Sequence, residues 1–434
     1  MRRLWLALLA VLTGVSAAQN GTSNDASGDS YTTYHRADGN RIIAGAGTFP
    51  DVQAVNFPLD GAPRWIVGYP TSDAQGAVRP AWVVLLEDGS MQGTYYDAAG
   101  DLQLSRVEPD VLPPGTPPVV RPGMFTFLEF SAPADASVLT HPVRTADGVL
   151  YVASNQDIVL TDNGGTEVMR FAEIALPDAR IVVNEHGLAA VYTGATNERY
   201  VHGIMGDDLE AAALTIIDMA QQRIATKIEL EGDEVFEGIA PFWADVNADG
   251  EQDLVATVSF PGGGAQLRAY AVDGTLIASS DAIGSSNRWR HQLAWGPFGV
   301  NGESRLVEVL TPHIGGIVGF FAVDGDQLVR VASVEGYTSH MIGSRNLDMA
   351  VAGDFDGDGQ LEVVLAEQQQ QQRIAGLVLT AEDTVREAWT LPLDGTLVTN
   401  LAAVNLQGDG LALATGVSDN QGARLRVWIP ATQP

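Results

Sequence analysis

Short apolar runs separated by turn residues recur along the whole chain, without the apolar period of a helix. The clearest unit is an apolar strand, a turn and a second strand. It reads WVVLLEDGSMQGTYY (82–96), DIVLTDNGGTEVMRF (157–171), LTIIDMAQQRIATKI (214–228), LRAYAVDGTLIAS (267–279), GFFAVDGDQLVRVAS (319–333), GLVLTAEDTVREAW (376–389) and LRVWIPATQP (425–434). The turns fall near 88, 162, 218, 273, 324, 382 and 431, so most steps are about fifty to sixty residues. The one longer step contains a proline-rich insert, EPDVLPPGTPPVVRP (108–122).

Each step also holds an upstream pair of strands around a short acidic or Gly turn, as in Val182 to Val191 and in Arg305 to Leu310. Four strands per step and seven steps predict an all-β protein, a seven-bladed β-propeller of four-stranded blades spanning 37–434 as one domain. The last repeat stops after its third strand, while Asp38-Gly-Asn-Arg-Ile-Ile-Ala44 copies the outer strand Asp273-Gly-Thr-Leu-Ile-Ala278. Residues 38–46 are therefore expected to complete the seventh blade and to remove an open edge.

The upstream turns carry candidate chemistry. DFDGDGQLE (354–362) has the look of an EF-hand loop, but the twelfth residue from Asp354 is Leu365, where that motif needs a bidentate Glu. In the sister segment from Asp245 the twelfth residue is Ala256, and β-branched runs of strand length follow both loops. Asp354, Asp356, Asp358, the Gln360 carbonyl and Glu362 form one set of hard oxygens. Asp245, Asn247, Asp249, the Glu251 carbonyl and Asp253 form another. With no imidazole or thiolate among them, both sets suit Ca²⁺ rather than Zn²⁺ or copper. Calcium is expected as a structural ion in at least two blades.

Composition narrows the setting. The chain carries 54 acidic and 24 basic residues, a net charge of −30, which disfavours nucleic acid and anionic membranes and attracts divalent cations. Residues 1–18 have the basic start, apolar run and small residues of a secretory signal, and 19–36 read as a disordered lead-in. A secreted or periplasmic protein is expected, without membrane insertion and as a monomer. There is no cysteine, so neither disulfides nor thiolate chemistry operates.

The segments PFWADVNADGEQDLVATV and AVAGDFDGDGQLEVVLAE resemble VCBS/FG-GAP repeats, the calcium-loop propeller repeats also found in the head of integrin α subunits. Asn405-Leu-Gln-Gly-Asp409-Gly410 is a degraded copy, and Pro297-Phe-Gly-Val-Asn301-Gly302 has lost its acids. The resemblance implies a seven-bladed propeller with Ca²⁺ in the loop joining the first two strands of a blade. It leaves adhesion, carbohydrate binding and polysaccharide degradation open.

Aligning the blades on Asp245 and Asp354 brings Arg288, Trp289, Arg290 and His291 opposite Arg345 and Asp348, with His340 just upstream and Phe236 and Glu237 beside them. His141 and His313 are candidates for the same rim. The arrangement predicts a pocket for an anionic ligand, with Arg288, Arg290 and Arg345 holding carboxylate or phosphate and Trp289 stacking on a sugar. The bland alternative pairs these arginines with neighbouring acids and buries the tryptophan. No nucleophile elbow, HExxH or Walker loop is present. The expected function is a non-catalytic binding module for carbohydrate or a protein partner. A lyase or hydrolase on an acidic glycan and a structural module of an envelope assembly are the alternatives.

Overall fold

A computed structural model describes residues 31–431 except 74, 108–111, 113–114, 122–126, 129–132 and 146. The expected signal segment lies outside the described residues, as do most of the lead-in and half of the proline-rich insert. Among the described residues the chain is all strand and turn, with no helix long and apolar enough to cross a membrane.

Antiparallel meanders dominate. Pro63–Ser72, Val78–Leu86, Met91–Tyr96 and Leu102–Arg106 pair in chain order, as do Val143–Thr145, Gly148–Val152, Ile158–Thr161 and Glu167–Phe171. The same order follows in Val182–Val183, Leu188–Thr196, Glu210–Asp218 and Arg223–Glu229. It recurs in Phe242–Ala244, Asp253–Phe260, Gly264–Tyr270 and Leu276–Ser279, and in Arg290–Gly296, Arg305–Leu310, Ile317–Asp324 and Gln327–Glu335. Ala350–Asp354, Glu362–Glu367, Arg373–Leu379 and Val385–Pro392 repeat it again.

Local turn chemistry explains this regularity. At the Asp273-Gly274 turn the Asp273 carboxylate accepts the Thr275 N–H at 2.9 Å, while Gly274 takes the left-handed conformation at φ +90°. Asp162 accepts the N–H groups of Gly164 and Thr166, both at 2.8 Å, in the equivalent turn. Gln368 to Gln372 lie in the turn between Glu362–Glu367 and Arg373–Leu379.

Burial shows how the meanders stack. Second strands such as Asp253–Phe260 are buried on both faces, whereas fourth strands such as Gln327–Glu335 alternate between buried and exposed positions. Leu267 and Ala269 of one meander pack with Leu306 and Phe321 of the next. Val307 and Phe320 pack in turn with Val363 and Leu377, and Val364 and Ile374 with Leu401 and Leu411. Ala412 and Leu425, near the end of the chain, pack with Ile66 and Trp82 near its start. In the insert, Val120 joins the core of the first meander and Val119 that of the second.

The closing strand differs from expectation. Thr396–Asn405, Leu411–Asp419 and Gly422–Pro430 are completed by Val52–Pro58, in register from Val52↔Pro430 to Pro58↔Arg424. Residues 38–46 do not take that edge. Ile42–Ala46 instead runs parallel to Ala350–Asp354, with Ile42↔Ala352 and Ala46↔Asp354. The reason lies in the side chains beside it. Arg41 donates to Asp348 at 3.0 Å and to the Gln292 and Leu293 carbonyls at 3.1 Å, and Asn40 donates to the Trp295 carbonyl at 2.8 Å. These interior anchors hold the segment inward, while Val52–Pro58, mostly exposed, suits an edge.

Candidate metal loop and ligand mouth

Strand pairing assembles the acidic loop. Gly353 faces Glu362 across the hairpin, so Asp354 and Glu362 meet at its base although they are eight positions apart in the chain. Gly357 and Gly359 take φ +77° and +90°, letting the loop curl so that Asp358 N–H donates to Asp356 at 3.1 Å and Gln360 N–H to Asp358 at 2.8 Å. One oxygen each from Asp354, Asp356 and Glu362 lies within 4.8 Å of the others. The Gln360 amide donates to the Phe298 and Leu379 carbonyls at 3.1 and 2.6 Å and so moors the loop to neighbouring strands.

The loop has oxygen lone pairs without donors. Glu362 is fully buried; Phe355 N–H donates to its Oε2 at 2.6 Å, while its Oε1 and the Asp354 Oδ1 are buried with no hydrogen-bond partner. Burial pushes the Glu362 carboxyl up to about 9, against the Phe355 hydrogen bond and with the help of the Asp356 and Asp354 charges. Burial raises Asp354 as well. Converging hard oxygens, two of them orphaned and self-repelling, fit a divalent cation of the calcium type.

The sister loop is built alike but closes differently. Val246 N–H donates to Asp253 at 3.0 Å, in the same relation as Phe355 to Glu362, and burial pushes Asp253 up to about 6. Here Asp245 accepts the N–H groups of Asp249 and Gly250, both at 3.1 Å, and the Asn247 amide donates to Asp249 at 2.9 Å. Asp249 also accepts Glu251 N–H at 2.9 Å. Among the described residues only the 354–362 loop gathers three acidic ligands, because Asn247 stands where Asp356 stands and its amide pairs within the loop.

The predicted rim divides. Trp289, His291 and His340 do come together. Trp289 is 2% exposed, stacked on His291 at 4.7 Å and on His313 at 6.1 Å, with His340 edge-on at 5.1 Å. The indole is thus buried against imidazoles, which corrects the sugar-stacking expectation. Arg290 pairs with buried Glu308 at 2.5 Å, and Arg345 bridges Asp178 at 2.7 Å and Asp207 at 2.6 Å. Asp348 sits between Arg41 at 3.0 Å and Arg180 at 2.7 Å. Burial alone would raise Asp348, but Arg180 and Arg41 hold it below the usual carboxylate range. Arg288 is exposed and donates to the Asn287 carbonyl at 2.8 Å. The guanidinium charges of Arg290 and Arg345 are therefore matched by the protein's own acids, which corrects the three-arginine anion clamp. His141 is buried, edge-on to Trp65 at 5.4 Å, and its backbone bridges to that of Arg180, the partner of Asp348.

Beside Trp289 the fold adds His202, Ser259 and Glu210, which spacing did not reveal, to Glu237, His313 and His340, which it did. His202 Nδ1 lies 2.5 Å from Glu237 Oε1, and the Ser259 hydroxyl donates to Glu237 Oε2. Glu237 is 1% exposed. Nearby Glu210 is held well above the carboxylate range by burial and then by the Glu237 charge. His313 Nε2 lies 2.8 Å from His340 Nδ1, and His340 Nε2 lies 2.7 Å from the Ser344 carbonyl. Burial lowers His313 to about 4 and His340 to about 3. The nearby His202 charge also lowers His313. Ile314 and Ile342, 64% and 71% exposed, flank this mouth in the chain.

No family model and no curated protein matches the chain. Among solved structures it is similar to BamB from Moraxella catarrhalis, at 12% identity over 88% of this chain and 98% of that one, with a TM-score of 0.41. No residue role is carried over from that protein.

Proposed function

We propose that the protein is an exported, calcium-stabilised seven-bladed β-propeller that serves as a non-catalytic binding module for a carbohydrate or protein partner. The observation that carries the metal reading is the convergence of Asp354, Asp356 and Glu362 around two buried oxygens that lack any donor. The propeller reading is supported by meanders that pack face to face in succession, by the contact of the last with the first, and by Val52–Pro58 joining the two ends. The likeness to VCBS/FG-GAP repeats supports both.

In the 354–362 loop, Asp354, Asp356, Asp358 and Glu362 with the Gln360 carbonyl would hold the ion. Its chemistry would be charge neutralisation: it would satisfy the orphaned oxygens and link metal binding to folding. A second, weaker site is proposed at 245–253, where Asn247 reduces the charge. Isothermal titration of the metal-stripped protein with Ca²⁺ tests this. Saturable heat is expected, with its tighter phase lost in Glu362→Gln and the weaker one kept, and no heat in the unmodified protein would refute it.

A polysaccharide-active enzyme is the second reading. It is favoured by a carboxylate-oriented imidazole, His202 on Glu237, beside a second acid, Glu210, whose carboxyl burial holds well above the usual range. Affinity electrophoresis against neutral and acidic polysaccharides, with each mixture assayed for new chain ends, separates the two. Retardation without new ends supports the module, and new ends support the enzyme.

A further inference from the structure

We propose that the mouth beside Trp289 takes a neutral, hydroxyl-bearing ligand, a saccharide unit, held by His202 Nε2 and His313 Nδ1. This rests on the binding-module reading and adds the ligand class and the residues that hold it.

The hydrogen-bond chain determines the acceptor. The Ser344 carbonyl can only accept, so His340 carries its proton on Nε2 and its Nδ1 is a lone pair. His313 must then donate from Nε2, leaving Nδ1 as an acceptor. On the other side, Glu237 holds the Nδ1–H of His202 and leaves Nε2 for a ligand. Neither free nitrogen has a partner among the described residues. A hydroxyl suits both positions because it donates to a lone pair and also accepts from an N–H, so it satisfies His202 in either protonation state.

The lone pair on His313 Nδ1 selects against an anion, whose oxygens carry no proton to give it; the Glu237 carboxylate lies on His202, and Arg345 is already held by Asp178 and Asp207. Arg288 is exposed to solvent, and Arg41 and Arg180, buried behind His291 and His340, are both paired with Asp348. Ile314 and Ile342 would meet the C–H face of a sugar ring, a role that the buried indole of Trp289 cannot play.

The test uses the calcium-loaded full chain, labelled with ¹⁵N-histidine, and neutral gluco-, manno- and xylo-oligosaccharides beside an oligogalacturonate. Two-bond ring correlations should find His313 protonated at Nε2 alone. At least one neutral oligosaccharide should shift the His202 and His313 signals. His202→Ala and His313→Ala should each weaken its binding tenfold or more. The opposite tautomer of His313, or a site that takes only the uronate, would overturn the proposal. A neutral glycan that binds without moving either ring would overturn this site and leave the module reading standing. No binding of any glycan would sink the proposal together with the carbohydrate form of that reading.

Discussion

Replacing Gly47 by alanine should loosen the acidic loop without touching any of its ligands. The N-terminal segment lies along that loop: Gly47 N–H donates to the Asp354 carbonyl at 2.7 Å and Phe49 N–H to the Phe355 carbonyl at 2.8 Å. A Cβ on Gly47 would stand 2.1 Å from the Phe355 oxygen and 2.9 Å from its carbonyl carbon. Both are backbone atoms, so no rotamer change relieves the contact. The segment must move by about an ångström, and both hydrogen bonds weaken, at about 1 kcal/mol each. Residual strain adds about 1 kcal/mol. For about 400 residues an unfolding entropy of roughly 0.8 kcal/mol/K converts a loss of about 3 kcal/mol into a Tm drop of about 4 °C. Differential scanning calorimetry in excess Ca²⁺ measures it, and titration calorimetry should show weaker calcium binding in the same variant. Gly61→Ala is the control, because its Cβ meets only Leu86 at 3.5 Å. If Gly47→Ala melts within 1 °C of the parent and binds Ca²⁺ equally well, the coupling between this segment and the loop is refuted.

Three further outcomes are expected. Chelating free calcium held at one hundred times the Kd of the 354–362 site should cost about 2.7 kcal/mol, a Tm drop of about 3 °C by the same entropy, and Glu362→Gln should show a smaller drop. Asp348→Ala should cost about 3–5 kcal/mol, because it strands Arg41 and Arg180 in the interior; an unchanged melting temperature would show that they find other partners. Stability should also fall on acidification. Burial lowers His340 from 6.5 to about 3, beside His313 and Arg180, so the unfolded chain takes up a proton that the folded protein refuses. The contribution is complete above pH 6.5 and is lost as pH falls towards 3, by roughly 2 kcal/mol at pH 5. Melting curves from pH 7.5 to 5 should be flatter for His340→Asn than for the parent, and parallel curves would refute the assignment.

Much of the architecture was legible because its causes are local. An Asp-Gly turn makes its own hydrogen bonds within a few residues, as Asp273 does with Thr275, so the hairpin recurrence stands in the chain itself. The acid spacing at 354–362 is likewise confined to one hairpin, and the strand pairing brings Asp354, Asp356 and Glu362 together. That Asn247 would turn inward to Asp249 in the sister loop was not legible, because identical spacing hides which oxygens are already occupied.

The long-range choices belong to tertiary structure. The Asp38-Gly turn resembles that at Asp273, yet likeness of a turn says nothing about a strand's neighbour, and the Arg41 and Asn40 contacts across the interior decided where the segment lies. The rim arginines follow the same logic. Arg345 meets Asp178 and Asp207 across sequence separations of 167 and 138 residues, and no spacing rule reaches that far. The His202–Glu237 pair is likewise made between separate meanders. Backbone turns and hairpin ligands obey forces acting over a few residues, whereas the partner of a buried charge is settled only when distant sheets close upon it. The chain alone therefore specified strands, turns and the acidic loop, while the folded protein determined which cations are neutralised and which imidazole nitrogens stay open.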